Sequence, residues 1–186
     1  MFNFDIKDNG SSSRLFLAHH ITDFKTACTF IAGLPYKRNT NKEDLATVFT
    51  ENGGTCSTKH AVLQKLCIEN GYEQVKLVLG IFKMDGIYAP SIAPVLQAYG
   101  LSYIPEAHNY LLIEGTYLDF TDPGAAYNDF KDKLVQEEFI DYTQITTYKV
   151  QQHKRFLASW LQRTQLPYSL DELWQIREKC IAALQA

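Results

Sequence analysis

The chain has 186 residues, of which 46% are apolar, and its formal net charge at pH 7 is −3. This length and apolar content predict a folded domain with a substantial core and argue against a disordered chain. No cluster of lysine and arginine is longer than the Lys-Arg pair at 37–38, so a nucleic-acid partner is not expected. No run of about 18 apolar residues predicts a membrane span.

The N-terminal ten residues contain two aspartates and lack the apolar segment of a signal peptide, so no secretory signal is predicted. The four cysteines, at positions 28, 56, 67 and 180, form no Cys-x-x-Cys pair. Their spacing indicates a reducing compartment, the cytoplasm, rather than a disulfide framework.

The first predicted elements are a loop and three helices. The polar stretch at 8–14 predicts a loop. Apolar residues at helical spacing then predict helices over 24–34 and 42–51. Two glycines break the pattern, and a third helix is predicted over 55–70, where an Asn-Gly pair follows as the stop signal.

The middle of the chain predicts strands. The run at 73–84 is almost entirely apolar after Lys76, as in a central strand. Two β-rich runs, at 107–113 and 116–121, are joined by Glu114-Gly115 and predict a hairpin. The remaining predicted elements are a short helix at 90–100, a further strand at 137–145, and two C-terminal helices at 148–163 and 169–186.

The order of helices, then strands, then helices predicts an α+β fold in a single domain over residues 1–186. We expect its core at about 23–145 and a C-terminal helical extension at about 146–186. The apolar stripe predicted for the first C-terminal helix consists of Val150, Phe156, Leu157, Trp160 and Leu161.

Cys56 follows a Gly-Gly-Thr sequence and stands at the predicted start of a helix. A helix N-terminus lowers the pKa of a thiol, and the thiolate is the nucleophilic form. Gly53 and Gly54 permit a tight turn and leave room for a substrate carbonyl. The backbone N–H of Cys56 is then one candidate oxyanion donor. The alternative is a small buried cysteine at a helix start.

A thiol nucleophile requires a base, and two histidines are candidates. His60 lies one helical turn after Cys56 and is expected at the rim of the cleft rather than in the role of base. His108 is better placed because it opens the first strand of the predicted hairpin.

The register of this hairpin selects the third member of a triad. With a two-residue loop, Tyr110 pairs with Asp119, and His108 and Asp119 become diagonal neighbours on one face. The aspartate is then able to hold the imidazole tautomer. A three-residue loop shifts the register by one residue and places Asp122 opposite His108 instead.

Three segments in this order resemble the transglutaminase-like superfamily. "GGTCSTKHAVLQKLCIENGY" resembles the nucleophile helix, "HNYLLIEG" the histidine strand, and "TYLDFT" the aspartate strand. The resemblance covers residues 52–122, and the two ends of the chain find no counterpart. Tyr110 stands where the family often has tryptophan, and Phe120 replaces the usual proline after the aspartate.

The resemblance implies a papain/transglutaminase-like core with a nucleophile helix packed on an antiparallel sheet. It also implies that Cys56 is the nucleophile, His108 the base and acid, and Asp119 the orienting carboxylate. No metal or organic cofactor is needed for this chemistry. Further candidates for oxyanion or substrate binding are Asn52, Gly54, His60 and Tyr110.

The function expected from these residues is hydrolysis of a peptide-like amide through a thioester, with transfer to a second amine as a variant. The substrate is then a peptide, a protein or a small amide. Two alternatives remain: an inert transglutaminase-like module that binds a peptide or protein, and acyl transfer as in arylamine N-acetyltransferases.

Overall fold

The computed structural model describes residues 2–184, and within this range the chain forms an α+β fold with seven α-helices and four strands. The helices are α1 (Ser11–Ala18), α2 (Phe24–Gly33), α3 (Thr47–Thr50), α4 (Cys56–Glu69), α5 (Ala93–Ala98), α6 (Thr147–Thr164) and α7 (Leu170–Leu184). The strands are β1 (Lys76–Asp85), β2 (Tyr103–Ile113), β3 (Thr116–Leu118) and β4 (Leu134–Ile140). Short 3-10 turns lie at Pro90–Ile92, Tyr127–Asp129, Lys131–Lys133 and Tyr142–Gln144.

The four strands form one antiparallel sheet in the order β3-β2-β1-β4. The strand predicted as central, β1, is an inner strand that pairs with β2 on one side and β4 on the other. Its near-continuous apolar sequence is suited to this position because both of its faces are covered.

The hairpin between β2 and β3 has the predicted two-residue loop. Ile113 pairs with Thr116, and the register continues to Leu111 opposite Leu118. Glu114 and Gly115 have φ values of 49° and 77°, the two left-handed conformations of a type I′ turn. The predicted two-residue register is therefore confirmed for these three pairs, and Asp119 follows directly after the last of them.

The second strand of the chain is longer than predicted, so His108 lies in the middle of β2 rather than at its start. Pro105, inside β2, lacks an N–H for the sheet. It is tolerated because β3 pairs with β2 only from Leu111 onward, which leaves the earlier part of that edge unpaired.

Helices cover both faces of the sheet. Leu77 and Leu79 of β1 point to a first apolar cluster, which they share with α1, α2 and α4. Val78 and Phe82 point to a second cluster, which contains residues of α5, α6 and α7. The alternation follows from the two-residue period of a strand.

The polar stretch predicted as a loop at 8–14 instead contains the first turn of α1. The carboxylate of Glu69, at the end of α4, accepts hydrogen bonds from the backbone N–H groups of Ser12 (3.0 Å) and Ser13 (2.7 Å). It supplies the cap that the local sequence lacks. The helix predicted at 42–51 is reduced to the four residues of α3.

The two C-terminal helices form as predicted, but they belong to the core. Leu157 and Leu173 are fully buried in the second cluster, and Phe4 near the other end of the chain is buried in the first. Residues before position 23 and after position 145 thus contribute to the core, which extends beyond the predicted limits of 23–145. Met1, Gln185 and Ala186 of the predicted domain lie outside the described residues.

Among residues 2–184, no helix has the length and apolar character needed to cross a membrane. All four cysteines are free and buried.

Candidate active site

Cys56 is the first residue of α4 and is 5% exposed. Its helix start is fixed by Thr58, whose hydroxyl accepts from the Thr55 N–H (3.1 Å) and donates to Asn39 (2.7 Å). Gly54 leaves space for this hydroxyl, since a Cβ there would lie 2.7 Å from the Thr58 oxygen. The predicted role of Gly54 in admitting a substrate carbonyl is therefore replaced by a packing role.

His108 and Asp119 are hydrogen bonded. His108 Nε2 lies 2.8 Å from Asp119 Oδ2, and Asp119 Oδ1 accepts from the backbone N–H (2.8 Å) and the hydroxyl (2.6 Å) of Thr121. These bonds hold the carboxylate just beyond the end of β3 and leave Nδ1 of His108 for the thiol. Asp122, the alternative partner of the histidine, is exposed.

The surroundings of Cys56 favour its thiolate. Burial by itself raises the pKa of the thiol, but the positive charges of Lys149 and His108 outweigh this effect. The net effect lowers the pKa of Cys56 to about 6. Burial alone would lower the pKa of His108, but the Asp119 carboxylate and the thiolate raise it to about 10. These opposite shifts favour a thiolate and an imidazolium near neutral pH.

Lys149 of α6 is a functional candidate that the sequence analysis missed. Its buried ammonium donates to Ser57 Oγ (2.8 Å) and Asn109 Oδ1 (2.7 Å) and lies 3.8 Å from Cys56 Sγ. Asn109 is fixed in turn by a hydrogen bond to the Val78 carbonyl (2.9 Å). Burial lowers the pKa of Lys149, and the negative charges of Cys56 and Glu106 oppose this effect.

A shift of the α6 stripe explains why Lys149 was missed. The buried residues of this helix are Lys149, His153, Leu157 and Trp160, which follow helical spacing. Val150, which was predicted to belong to the stripe, is 40% exposed. Lys149 lies at helical spacing from Leu157 and Trp160, and this spacing is the sequence signal that places it on the buried face of α6.

His60 lies beneath the site rather than at its rim. It is fully buried because α4 is covered on nearly all sides. Its Nε2 accepts from the Phe120 N–H (2.7 Å), so Nδ1 carries the proton and donates to the Cys56 carbonyl (2.7 Å). The imidazole is neutral, and burial lowers its pKa to about 4. Its 3.4 Å approach to Asp119 is therefore not an ion pair.

Tyr110 and Asn52 are not placed to bind substrate. The buried Tyr110 ring stacks beside His108, with centroids 5.9 Å apart, and its hydroxyl donates to Glu137. Asn52 is exposed in a left-handed conformation (φ 50°) and is not part of the cavity wall beside Cys56. Tyr110 thus supports the histidine through its packing.

A cavity of about 200 Å³ lies beside Cys56. Its wall combines the α4 start with the loop before α3, β2, α6 and α7. The lining side chains that carry charge or an aromatic ring are Tyr36, Arg38, Lys42, Glu106, Lys149, His153, Trp174, Arg177 and Glu178.

A scan against protein-family models and searches of curated proteins and solved structures gave no match to this chain. Within residues 2–184, no three His, Cys, Asp or Glu side chains are grouped so that they could hold a metal ion.

Proposed function

We propose that the protein is a cysteine-dependent amide hydrolase with a papain/transglutaminase-like core. The Cys56 thiolate attacks the substrate carbonyl, and the His108 imidazolium donates its proton to the leaving amine. Water then adds to the thioester while His108 accepts a proton. The carboxylic acid is released and the thiolate is restored.

The observation that carries this proposal is the convergence of three groups from separate elements. Cys56 comes from the start of α4, His108 from the middle of β2, and Asp119 from the position directly after β3. The 2.8 Å bond between His108 and Asp119 fixes the tautomer that faces the thiol. The low thiol pKa gives a nucleophile at neutral pH without an external base.

Two donors are available for the oxyanion that forms during the attack. The N–H of Cys56 is at the first position of a helix, where it has no intrahelical acceptor. The Lys149 ammonium lies 3.8 Å from the sulfur and is held there by Ser57 and Asn109. Both are preorganised in a buried setting, where a charge interacts more strongly than in water.

The proposal is tested by mapping iodoacetamide labelling at slightly acidic pH. We expect Cys56 to be alkylated selectively, because burial raises the pKa of Cys28, Cys67 and Cys180. Hydrolysis of a panel of small peptide amides is then measured for the wild-type protein and for Cys56→Ser, which should abolish turnover.

A thiol at position 56 that reacts no faster than the other three would contradict the proposed nucleophile. A reactive thiol with no turnover of any amide, and with peptide binding unchanged in Cys56→Ser, would instead support the inert binding module.

A further inference from the structure

The cavity beside Cys56 contains more positive than negative charge. Its lining contains four cationic side chains and two carboxylates. The carboxylates are already paired: Glu106 accepts from Arg177 (Nε–Oε2 2.8 Å), and Glu178 accepts from Arg38 (2.6 Å) and Arg177 (2.6 Å). Both carboxylates are thus neutralised by guanidinium groups.

The two lysines of the cavity differ in their partners. Lys149 is fixed by Ser57, Asn109 and the thiolate. Lys42, in contrast, has no ion-pair or hydrogen-bond partner among residues 2–184. It is half-buried, and burial together with the charge of Lys149 lowers the pKa of its ammonium.

An unpaired cation in a cavity wall is suited to an anionic ligand group. A lysine ammonium has three hydrogen-bond donors and no acceptor, and a carboxylate accepts hydrogen bonds through both of its oxygens.

We propose that this cavity binds the carboxylate of a small anionic amide, with Lys42 as its principal counter-ion. The inference rests on the proposed function and adds the chemical class of its substrate. A volume of about 200 Å³ is below the range of about 300–1,000 Å³ typical of pockets for drug-sized ligands. It is suited to a fragment the size of an amino-acid residue.

The probes are iodoacetate and iodoacetamide, which differ only in the charged group next to the reacting carbon. Each alkylates the thiolate with release of iodide. A carboxylate ordinarily slows the reaction because it repels the thiolate. We expect the rate ratio of iodoacetate to iodoacetamide at Cys56 to exceed that of N-acetylcysteine by about tenfold, with saturation in iodoacetate.

Variants at Lys42 identify the counter-ion. Lys42→Met should reduce the ratio about tenfold, and Lys42→Arg should retain most of it because the charge is kept. Lys7→Met removes the same charge from an exposed position and should leave the ratio unchanged. Measurements are made at a pH about two units above the thiol pKa of about 6, so that the thiolate is fully formed in every variant.

A wild-type ratio equal to that of N-acetylcysteine, or a ratio that Lys42→Met does not change, would overturn the carboxylate site. In that case rapid labelling by iodoacetamide would still support the proposed nucleophile. Failure of iodoacetamide to label Cys56 selectively would overturn both.

Discussion

Cys56 is distinguished from the other cysteines by its charged neighbours, since all four are buried. Burial alone raises the pKa of a thiol, as it does for Cys67. At Cys56 this effect is outweighed because Lys149 and His108 both place positive charge near the sulfur. The thiolate therefore depends on α6 as well as on the hairpin.

We expect Lys149→Met to raise the pKa of Cys56 by about one to three units, because one of two nearby cations is removed. In the wild-type protein the rate of iodoacetamide labelling should rise with pH around a midpoint of about 6, since the lowered pKa forms the thiolate there. The midpoint should move upward in the variant, and turnover should fall.

Arg155→Met is the matched control for this measurement. Arg155 is exposed on the same helix, where it hydrogen bonds with Gln152. The substitution removes one positive charge but no contact with the active site. The pH midpoint of iodoacetamide labelling should therefore stay near 6. Equal shifts in the two variants would show that net charge, and not the position of Lys149, controls the thiol.

His60 connects two elements that the triad requires. It joins the first turn of α4 to the segment that follows β3 by accepting from the Phe120 N–H. A proline at position 120 would have no N–H, so this bond requires a residue other than proline there. His60 thereby positions Asp119 relative to Cys56.

We expect His60→Ala to destabilise the fold by about 2–4 kcal/mol, because it leaves the Phe120 N–H buried and unpaired and opens a cavity. His60→Gln should recover part of the loss, since its amide oxygen is an acceptor. Chemical denaturation of the three proteins measures these differences. Equal stability of the alanine and wild-type proteins would contradict the bridging role.

The same histidine makes stability depend on pH. Its folded pKa of about 4 lies below the ordinary value of 6.5, so the unfolded chain binds more protons between these values. The contribution of His60 is complete above pH 6.5 and is lost as the pH falls toward 4. The stability difference between the wild-type protein and His60→Gln should narrow over this window, and a constant difference would argue against a buried neutral imidazole.

Residues 2–184 form one sheet covered by helices on both faces, and the cavity depends on both helical layers. Its wall takes Cys56 from α4 and Arg177 from α7. Arg177 also forms an ion pair with the buried Glu106 of β2, whose pKa it helps to lower to about 2 despite the opposing effect of burial. The C-terminal helices are therefore needed for the site and for the core.

We expect Leu173→Ala to lower the free energy of unfolding by about 2–5 kcal/mol, because the fully buried leucine leaves a cavity in the second apolar cluster. Leu184→Ala, at a site 36% exposed on the same helix, should change it by less than about 0.5 kcal/mol. Thermal unfolding should remain a single transition that moves to lower temperature in Leu173→Ala. A separate early transition of the helices alone would favour an independent extension.

The α+β class, the central strand, the hairpin register and the end of α4 were predictable from the sequence. The class follows from the order of the predicted elements. The other three depend on local patterns: a continuous apolar run, a two-residue loop with glycine, and an Asn-Gly stop. The juxtaposition of His108 and Asp119 followed from the hairpin register, because paired strands fix which side chains share a face.

Contacts between distant segments were decided only by the tertiary structure. The cap of α1 comes from Glu69, the second cation of the site comes from Lys149, and the partner of His60 is the backbone of Phe120. Each joins residues more than fifty positions apart, and the pattern around one residue carries no information about such a partner. A lysine on a helix is ordinarily solvated, and only the packing of α6 against β2 and the start of α4 places this one against the thiol.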